Sequence, residues 1–416
     1  MTEARAVGRE GAATAGTRVF RRKVFYIPGY DPFHPRRYRE LYRKEGADQA
    51  AISGYGLTMR PKKTRGPYGW HVSGEIEGGR AEADVEVLVW SDIVKGSMAQ
   101  GIGATYLQLV RTAWAYIGSG ALFRLMRLRK GPVIAALYPI VMLLAQALAA
   151  LFLAGIGAWG GARVLPSPWG VWAGLAVGLA CGAFLLRWFR KQDHRFFAYY
   201  LMHDYAYSAQ LGGANPPPLE ARMSEFGKVI RSAMETDADE VLVVGHSSGA
   251  HLGVSILADL IREGLPSPRP VLSFLSLGHV VPMVSFLPEA RRLRADLAYL
   301  SARDELTWVD VTAPGDGCAF ALCDPVAVTG VAPPGKRWPL VFSAAFTHTL
   351  SPARWKELRW RFFRLHFQYL CAFDRPGDYD YFRITAGPVT LGDRYRGRAA
   401  SKSRIERAVN RYTSTA

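Results

Sequence analysis

The chain has 416 residues, 49% of them hydrophobic, and a formal net charge of +17 at pH 7. That length exceeds one ordinary domain and allows a large core, and the charge asks for an anionic partner, either nucleic acid or a membrane surface. The basic residues form no zinc-finger, RNA-binding or basic-zipper pattern and gather in the tails and beside two apolar runs, so nucleic acid is not expected as a partner.

Residues 1–21 are small, polar and basic, without the apolar core of a signal peptide, and are expected to be a disordered tail. A strand is predicted at Arg22–Ile27, ending in Pro28-Gly29-Tyr30-Asp31-Pro32, and a charged helix follows over Pro35–Gln49. A hairpin is predicted across Gly69–Ile93, with Gly78-Gly79 at its turn and alternating Ala83, Val85, Val87 and Val89 on the return strand. Tyr106–Met126 mixes aromatics, aliphatics and arginines, and reads equally as an interfacial helix or a core helix.

Gly131 to Gly161 carries no charged residue, and a second uncharged run extends from Val164 to Leu186. Each can cross a hydrocarbon core of roughly 30 Å, which needs about 20 helical residues; the expected spans are 133–157 and 166–187. Trp159, Trp169, Trp172 and Trp188 lie at their ends, as in an interfacial belt. Arg124, Arg127, Arg129 and Lys130 precede the pair and Arg187, Arg190, Lys191 and Arg195 follow it, whereas the joining loop carries only Arg163. Positive charge marks the cytoplasmic side, so both flanks and both termini are expected there, and the chain is expected to be an integral protein of a bacterial inner membrane.

Beyond the insertion, helical patterns at Phe196–Leu211 and Leu219–Glu235 flank Pro216-Pro217-Pro218. Strands at Glu240–Val244, Val271–Leu277, Leu306–Val311 and Pro339–Phe346 then alternate with helices at Ala250–Leu260 and Pro288–Arg303. This alternation implies an α/β fold, a mostly parallel sheet flanked by helices. The expected division is a tail at 1–21, an α/β part at 22–110, a membrane insertion at 111–191, a second α/β part at 192–393, and a basic tail at 394–416. The last segment, rich in arginine and serine, reads equally as lying on an anionic membrane or as merely solvated.

Gly245-His246-Ser247-Ser248-Gly249 sits between the aliphatic strand ending at Val244 and the helix opening at Ala250. That strand–turn–helix setting is what a nucleophile elbow requires: the glycines let strand and helix pass closely while Ser247 is lifted to the sheet's end. A serine nucleophile needs a base, a carboxylate to orient it and donors for the oxyanion. In the elbow and in the order of serine, acid and histidine downstream, the chain resembles the α/β-hydrolase superfamily, particularly its lipase- and esterase-like members. The resemblance covers most of the chain outside the apolar pair and the tails.

That resemblance implies an acid after a late strand. Asp316, in the turn Pro314-Gly315-Asp316-Gly317, is the preferred candidate; Asp310, within the strand pattern, and Asp324, beyond the turn, are the alternatives. It implies a histidine after the last strand. His348 has the simplest placement, but His366 is preferred, because Phe363-Arg364-Leu365-His366-Phe367-Gln368-Tyr369 resembles the His-x-x-Tyr loop of some lipase-like enzymes. His246 and His251 flank the serine as environment. The oxyanion donors implied are the backbone N–H of Ser248 and that of Tyr30, in a Pro-Gly loop standing where lipases carry His-Gly.

The four cysteines, Cys181, Cys318, Cys323 and Cys371, form no regular framework or zinc set, and no phosphate-binding or dinucleotide loop is found, so neither metal nor cofactor is expected. The expected function is a membrane-anchored serine hydrolase with its catalytic domain facing the cytoplasm. It would act on a carboxylic ester or thioester, with a hydrophobic ester or acyl lipid and the bilayer as partners. The alternatives are a non-catalytic membrane scaffold on the same fold, and an acyltransferase using the same triad.

Overall fold

The computed structural model describes residues 18–166 and 168–416. Most of the tail expected at 1–21 lies outside the described residues; Arg18 already bridges Val389, and the first strand begins at Arg21. Eight strands form one sheet: β1 (Arg21–Ile27), β2 (Gly56–Pro61), β3 (Gly69–Ile76), β4 (Gly79–Val87), β5 (Glu240–His246), β6 (Val271–Leu277), β7 (Leu306–Thr312) and β8 (Leu340–Ser343), in the order β2-β3-β4-β1-β5-β6-β7-β8. Six of them, β4 to β8 with β1, pair in parallel, and the β2-β3-β4 meander closes one edge antiparallel. Connections leave β1 toward one edge and β5 toward the other. The crevice beyond the C-terminal ends of these two neighbours is therefore the topological switch point, where open α/β sheets bind ligands.

Strand β5 is buried along its whole length, as a central parallel strand should be. Its alternate residues feed two cores: Val241 and Val243 face one with Phe274 and Trp308, while Leu242 and Val244 face the other with Phe342 and Tyr369. At the strands' opposite end Arg22 and Glu240, both fully buried, pair at 2.6 Å. Ser273 Oγ and Leu391 N donate to the other Glu240 oxygen, and Arg22 donates to the carbonyls of Gly387 and Val389. Every charge there is matched, which is the condition for burying an ion pair.

The first helices are α1 (Arg36–Ser53), α2 (Ser91–Met98), α3 (Ile102–Gly118) and α4 (Ala121–Leu128); the apolar pair is α5 (Lys130–Val164) and α6 (Trp169–Lys191). They are followed by α7 (Asp193–Phe196), α8 (Ala198–Ala209), α9 (Pro217–Met234) and α10 (Ser248–Arg262). The first apolar helix is longer than its expected span. Its N-terminal part packs on the body, where Leu143 joins Tyr199 and Met202 of α8 in one apolar cluster. Beyond it, from Ala147 on, α5 runs about 18 residues, roughly 27 Å at helical rise, and Gly157 and Gly161 there lie against α6.

That pairing is set by glycine. A Cβ on Gly174 would stand 2.0 Å from the Gly157 carbonyl oxygen, one on Gly161 2.1 Å from that of Gly170, and one on Gly178 2.5 Å from that of Leu153. The spacing of four from Gly170 through Gly174 and Gly178 to Gly182 keeps these residues on one helix face, so the two backbones touch. The outward faces are the reverse of a soluble helix: Leu148, Leu151, Phe152, Trp159, Trp172, Val177 and Phe184 are all exposed. Both helices are long and apolar enough to cross a membrane, and only 17% of each apolar window is buried.

Helix α3 buries Leu109, Thr112 and Tyr116 while exposing Leu107, Val110, Trp114 and Ile117, a stripe at helical spacing. Its inward face is core and its outward face is apolar and open, so each sequence reading fits one side. The C-terminal segment is folded back on the body: Cys323 bridges Ile405, Val409 is buried, and Asn410 and Ser414 bond Ser285 and Arg294.

Candidate active site

The turn between β5 and α10 places Ser247 at φ +56°, ψ −120°, a conformation a residue with a Cβ rarely adopts. Such strain costs of the order of 1–3 kcal/mol and persists only where its surroundings enforce it. Here Ser247 N–H continues the sheet ladder to the Leu277 carbonyl at 2.9 Å, while close packing leaves the flanking backbone no slack. A Cβ on Gly249 would stand 2.0 Å from the Ile27 carbonyl oxygen, and one on Gly245 2.6 Å from that of Gly249. Both glycines of the motif are thus fixed by contact.

The loop after β1 runs directly over the serine. A Cβ on Gly29 would lie 3.0 Å from Ser247 Cβ and 3.4 Å from its Oγ. Trp90 Nε1 donates to the Pro28 carbonyl at 3.0 Å and the Tyr200 hydroxyl to the Tyr30 carbonyl, which hold the loop in place. Among the described residues the backbone N–H groups of Tyr30 and Ser248 donate to no partner, and both residues line the cavity onto which Ser247 opens.

His366 ends a short helix, Phe362–His366, that faces the same cavity. Its Nδ1 lies 2.7 Å from Asp316 Oδ2. Asp316, buried behind it, also accepts from Cys318 N–H at 2.9 Å and from the Tyr369 hydroxyl at 3.0 Å. Burial alone would raise this carboxyl, but the charge and hydrogen bond of His366, with these donors, hold it below its ordinary value. It is therefore an acceptor, and His366 Nδ1 carries the proton, leaving Nε2 as the basic nitrogen. Among the described residues Ser247 Oγ and His366 share the cavity without a hydrogen bond between them.

His246 supports the arrangement from below. Its Nε2 bonds the His366 carbonyl at 3.0 Å and its Nδ1 faces the Tyr26 hydroxyl at 3.3 Å. Burial, reinforced by the charge of His366, depresses its pKa to about 3, so it stays neutral and fixes the backbone of its neighbour.

The other candidates lie elsewhere. His348 is exposed on a one-turn helix, Phe346–Thr349, away from the cavity. Asp310 is sealed within the sheet, accepting from Ser276 Oγ, and its pKa is pushed up by burial. Asp324 caps the helix Pro325–Thr329 and pairs with Lys336 at 2.6 Å. The structure thus brings Ser247, Asp316, His366, Tyr30 and Ser248 together and leaves these three apart.

The cavity, about 1180 Å³, is walled by the β1 loop, α1, α8 and the segment after β8, and it reaches the roots of the apolar pair at Pro132 and Asp193. Two more residues on its wall carry chemistry of their own. Cys318 lies beside Asp316, its thiol pushed well up by burial and by neighbouring carboxylates. Asp204, on α8, was hidden inside a predicted helix; an acid among Tyr199, Tyr200, Leu201, Met202 and Tyr205 was the signal available. Donor atoms of Asp316, Cys318 and His366 lie within 4.8 Å of one another. The Asp316–His366 hydrogen bond occupies the facing lone pairs and the thiol is protonated, so the set suits an acid–histidine pair better than a cation.

Comparison with protein-family models, curated proteins and solved structures finds no match to this chain.

Proposed function

We propose that this chain is a membrane-anchored serine hydrolase of α/β-hydrolase type, cleaving a carboxylic ester or thioester of a hydrophobic acyl compound. One observation carries the reading: a serine held at φ +56° on a strand–helix turn opens onto the same cavity as a histidine whose Nδ1 is fixed by a buried aspartate at 2.7 Å. Strain maintained by close packing at one hydroxyl that opens onto a cavity has no evident use in folding. It suits a group that must stand clear of its own backbone.

In this mechanism Ser247 Oγ attacks the carbonyl carbon as His366 Nε2 takes its proton. The oxyanion is met by the N–H groups of Ser248 and Tyr30. Collapse breaks the bond to the leaving alcohol or thiol, which receives the proton from His366. Water, activated by the same nitrogen, then releases the acid and restores Ser247. Asp316 stays ionised throughout, holding the tautomer and stabilising the imidazolium.

The membrane reading is supported by the outward apolar faces of α5 and α6, and by the exposed apolar stripe of α3. Arginines at both roots of the pair favour a cytoplasmic body. Because the cavity reaches those roots, an acyl chain leaving the bilayer would meet the site directly. Hydrolysis of p-nitrophenyl acyl esters by the detergent-solubilised protein tests the proposal. Turnover by wild type that falls about 10⁴-fold or more in Ser247→Ala is expected; equal turnover by both proteins would refute it.

A further inference from the structure

The chain is strongly basic, yet carboxylates outnumber arginines and lysines on the cavity wall by seven to four. Most of those acids are engaged. Asp31 takes Arg37 and Tyr38, Glu45 takes Arg354, and Asp193 accepts from the N–H groups of Tyr199 and Tyr200. Asp204 differs: among the described residues it accepts no hydrogen bond and forms no ion pair. It lies on the wall shared with Ser247, Ser248 and His366, and also lines a small recess beside Tyr30, Ser248 and His251. It is half-buried on the cavity wall, and burial raises its pKa to about 7 although His366 pulls the other way.

Several aromatic rings line the same cavity. Tyr30 and Tyr200 lie 6.1 Å apart between ring centres, Tyr200 and Phe363 5.9 Å, and Phe363 and Phe197 4.8 Å. An unpaired carboxylate among apolar groups carries a desolvation cost that a cation would remove. Aromatic faces attract the same kind of group, best when it is a weakly hydrated ammonium. A structural aspartate would show a bond to its own protein.

We propose that Asp204, with the rings of Tyr30, Tyr200 and Phe363, forms a subsite for a cationic ammonium group of the substrate, making it a specificity-determining residue. The proposal rests on Ser247 being the nucleophile. It narrows the substrate to an ester or thioester with a quaternary or protonated amine within a few bonds of the carbonyl. Neutral esters of the same size would be cleaved, but less efficiently.

The test compares a butyryl ester of choline with the butyryl ester of 3,3-dimethylbutanol, its neutral isostere. Wild type is expected to favour the choline ester about tenfold or more in kcat/KM, mainly through KM. Asp204→Asn should bring the two esters within about threefold while Ser247 still reacts with a fluorophosphonate. No preference in wild type, or a preference that survives Asp204→Asn, overturns the subsite while leaving the hydrolase reading intact. If wild type does not react with fluorophosphonate, the hydrolase reading itself fails. The subsite is then decided by titration calorimetry of butyrylcholine into Ser247→Ala protein. Binding that is lost on adding Asp204→Asn supports it, and absent or unchanged binding overturns it.

Discussion

Ser247, Ser248, Tyr30 and His366 face one cavity, and close backbone contacts fix the segments on either side of Ser247. Gly249→Ala is expected to damage the fold and not merely the chemistry, since its Cβ would meet the Ile27 carbonyl at 2.0 Å. A loss of several kcal/mol, or no soluble protein, should appear in denaturation of the purified variant. Asp316→Asn keeps the volume but favours the wrong His366 tautomer, and should lower kcat by about 10³–10⁴-fold with little change in melting temperature. Tyr369→Phe removes one donor to Asp316 and the acceptor used by Ala313 N–H, both near 3 Å. Its cost should be smaller, about 1–3 kcal/mol in stability. Ser247 was legible in the sequence because an elbow is a local pattern, and Asp316 because its turn follows a strand. The choice of His366 over His348 came from a loop resemblance, and in the structure only His366 reaches the cavity. Asp204 could not be placed, because its position on the cavity wall depends on α8 docking against the β1 loop.

Among the elements, the α5–α6 pair makes the sharpest physical claim. Gly174→Leu would drive a side chain into the Gly157 carbonyl, so the helices should separate, whereas Gly155→Leu in the same stretch meets open space. Protease cleavage in the connecting loop of the detergent-solubilised protein should rise for the first variant and stay near wild type for the second. Equal sensitivity would contradict the packing. The apolar runs announced both helices, but composition could not reveal that the start of α5 rests on α8. Strand β2 escaped notice because Gly-Leu-Thr-Met-Arg-Pro is short, polar and closed by proline, the character of an edge strand. The arginine-rich C-terminal segment reads as a tail because the partners that hold it, Glu77 for Arg394, Asp378 for Arg398 and the apolar clusters that take Tyr395, Ile405 and Val409, come together only in the folded molecule.

For the molecule as a whole, acid sensitivity follows from the histidines it buries neutral. His251 is buried in the first turn of the elbow helix α10, among the described residues its Nδ1 has no partner, and burial lowers its pKa to about 4 from an ordinary 6.5. In the unfolded chain it binds a proton below 6.5, whereas in the folded state it resists until about 4. Its contribution is therefore complete above 6.5 and lost as pH falls toward 4, at about 1.4 kcal/mol per pH unit. His251→Phe should remove that share. The difference in stability between variant and wild type should shift in the variant's favour from pH 6.5 to pH 5, as read from denaturant midpoints at each pH. A pH-independent difference would mean that His251 takes up its proton as readily in the folded protein as in the unfolded chain, and would contradict the burial effect.

The central claim is that the sequence builds an activated serine, and covalent labelling tests it most directly. Detergent-solubilised protein is treated with a fluorophosphonate, the adduct is mapped by peptide mass, and Ser247→Ala, His366→Ala and His348→Ala are run beside wild type. The expected result is one adduct at Ser247, absent from Ser247→Ala, strongly slowed in His366→Ala and unaffected in His348→Ala. Folded wild-type protein that takes up no label, or labelling at Ser247 that does not depend on His366, would contradict the account.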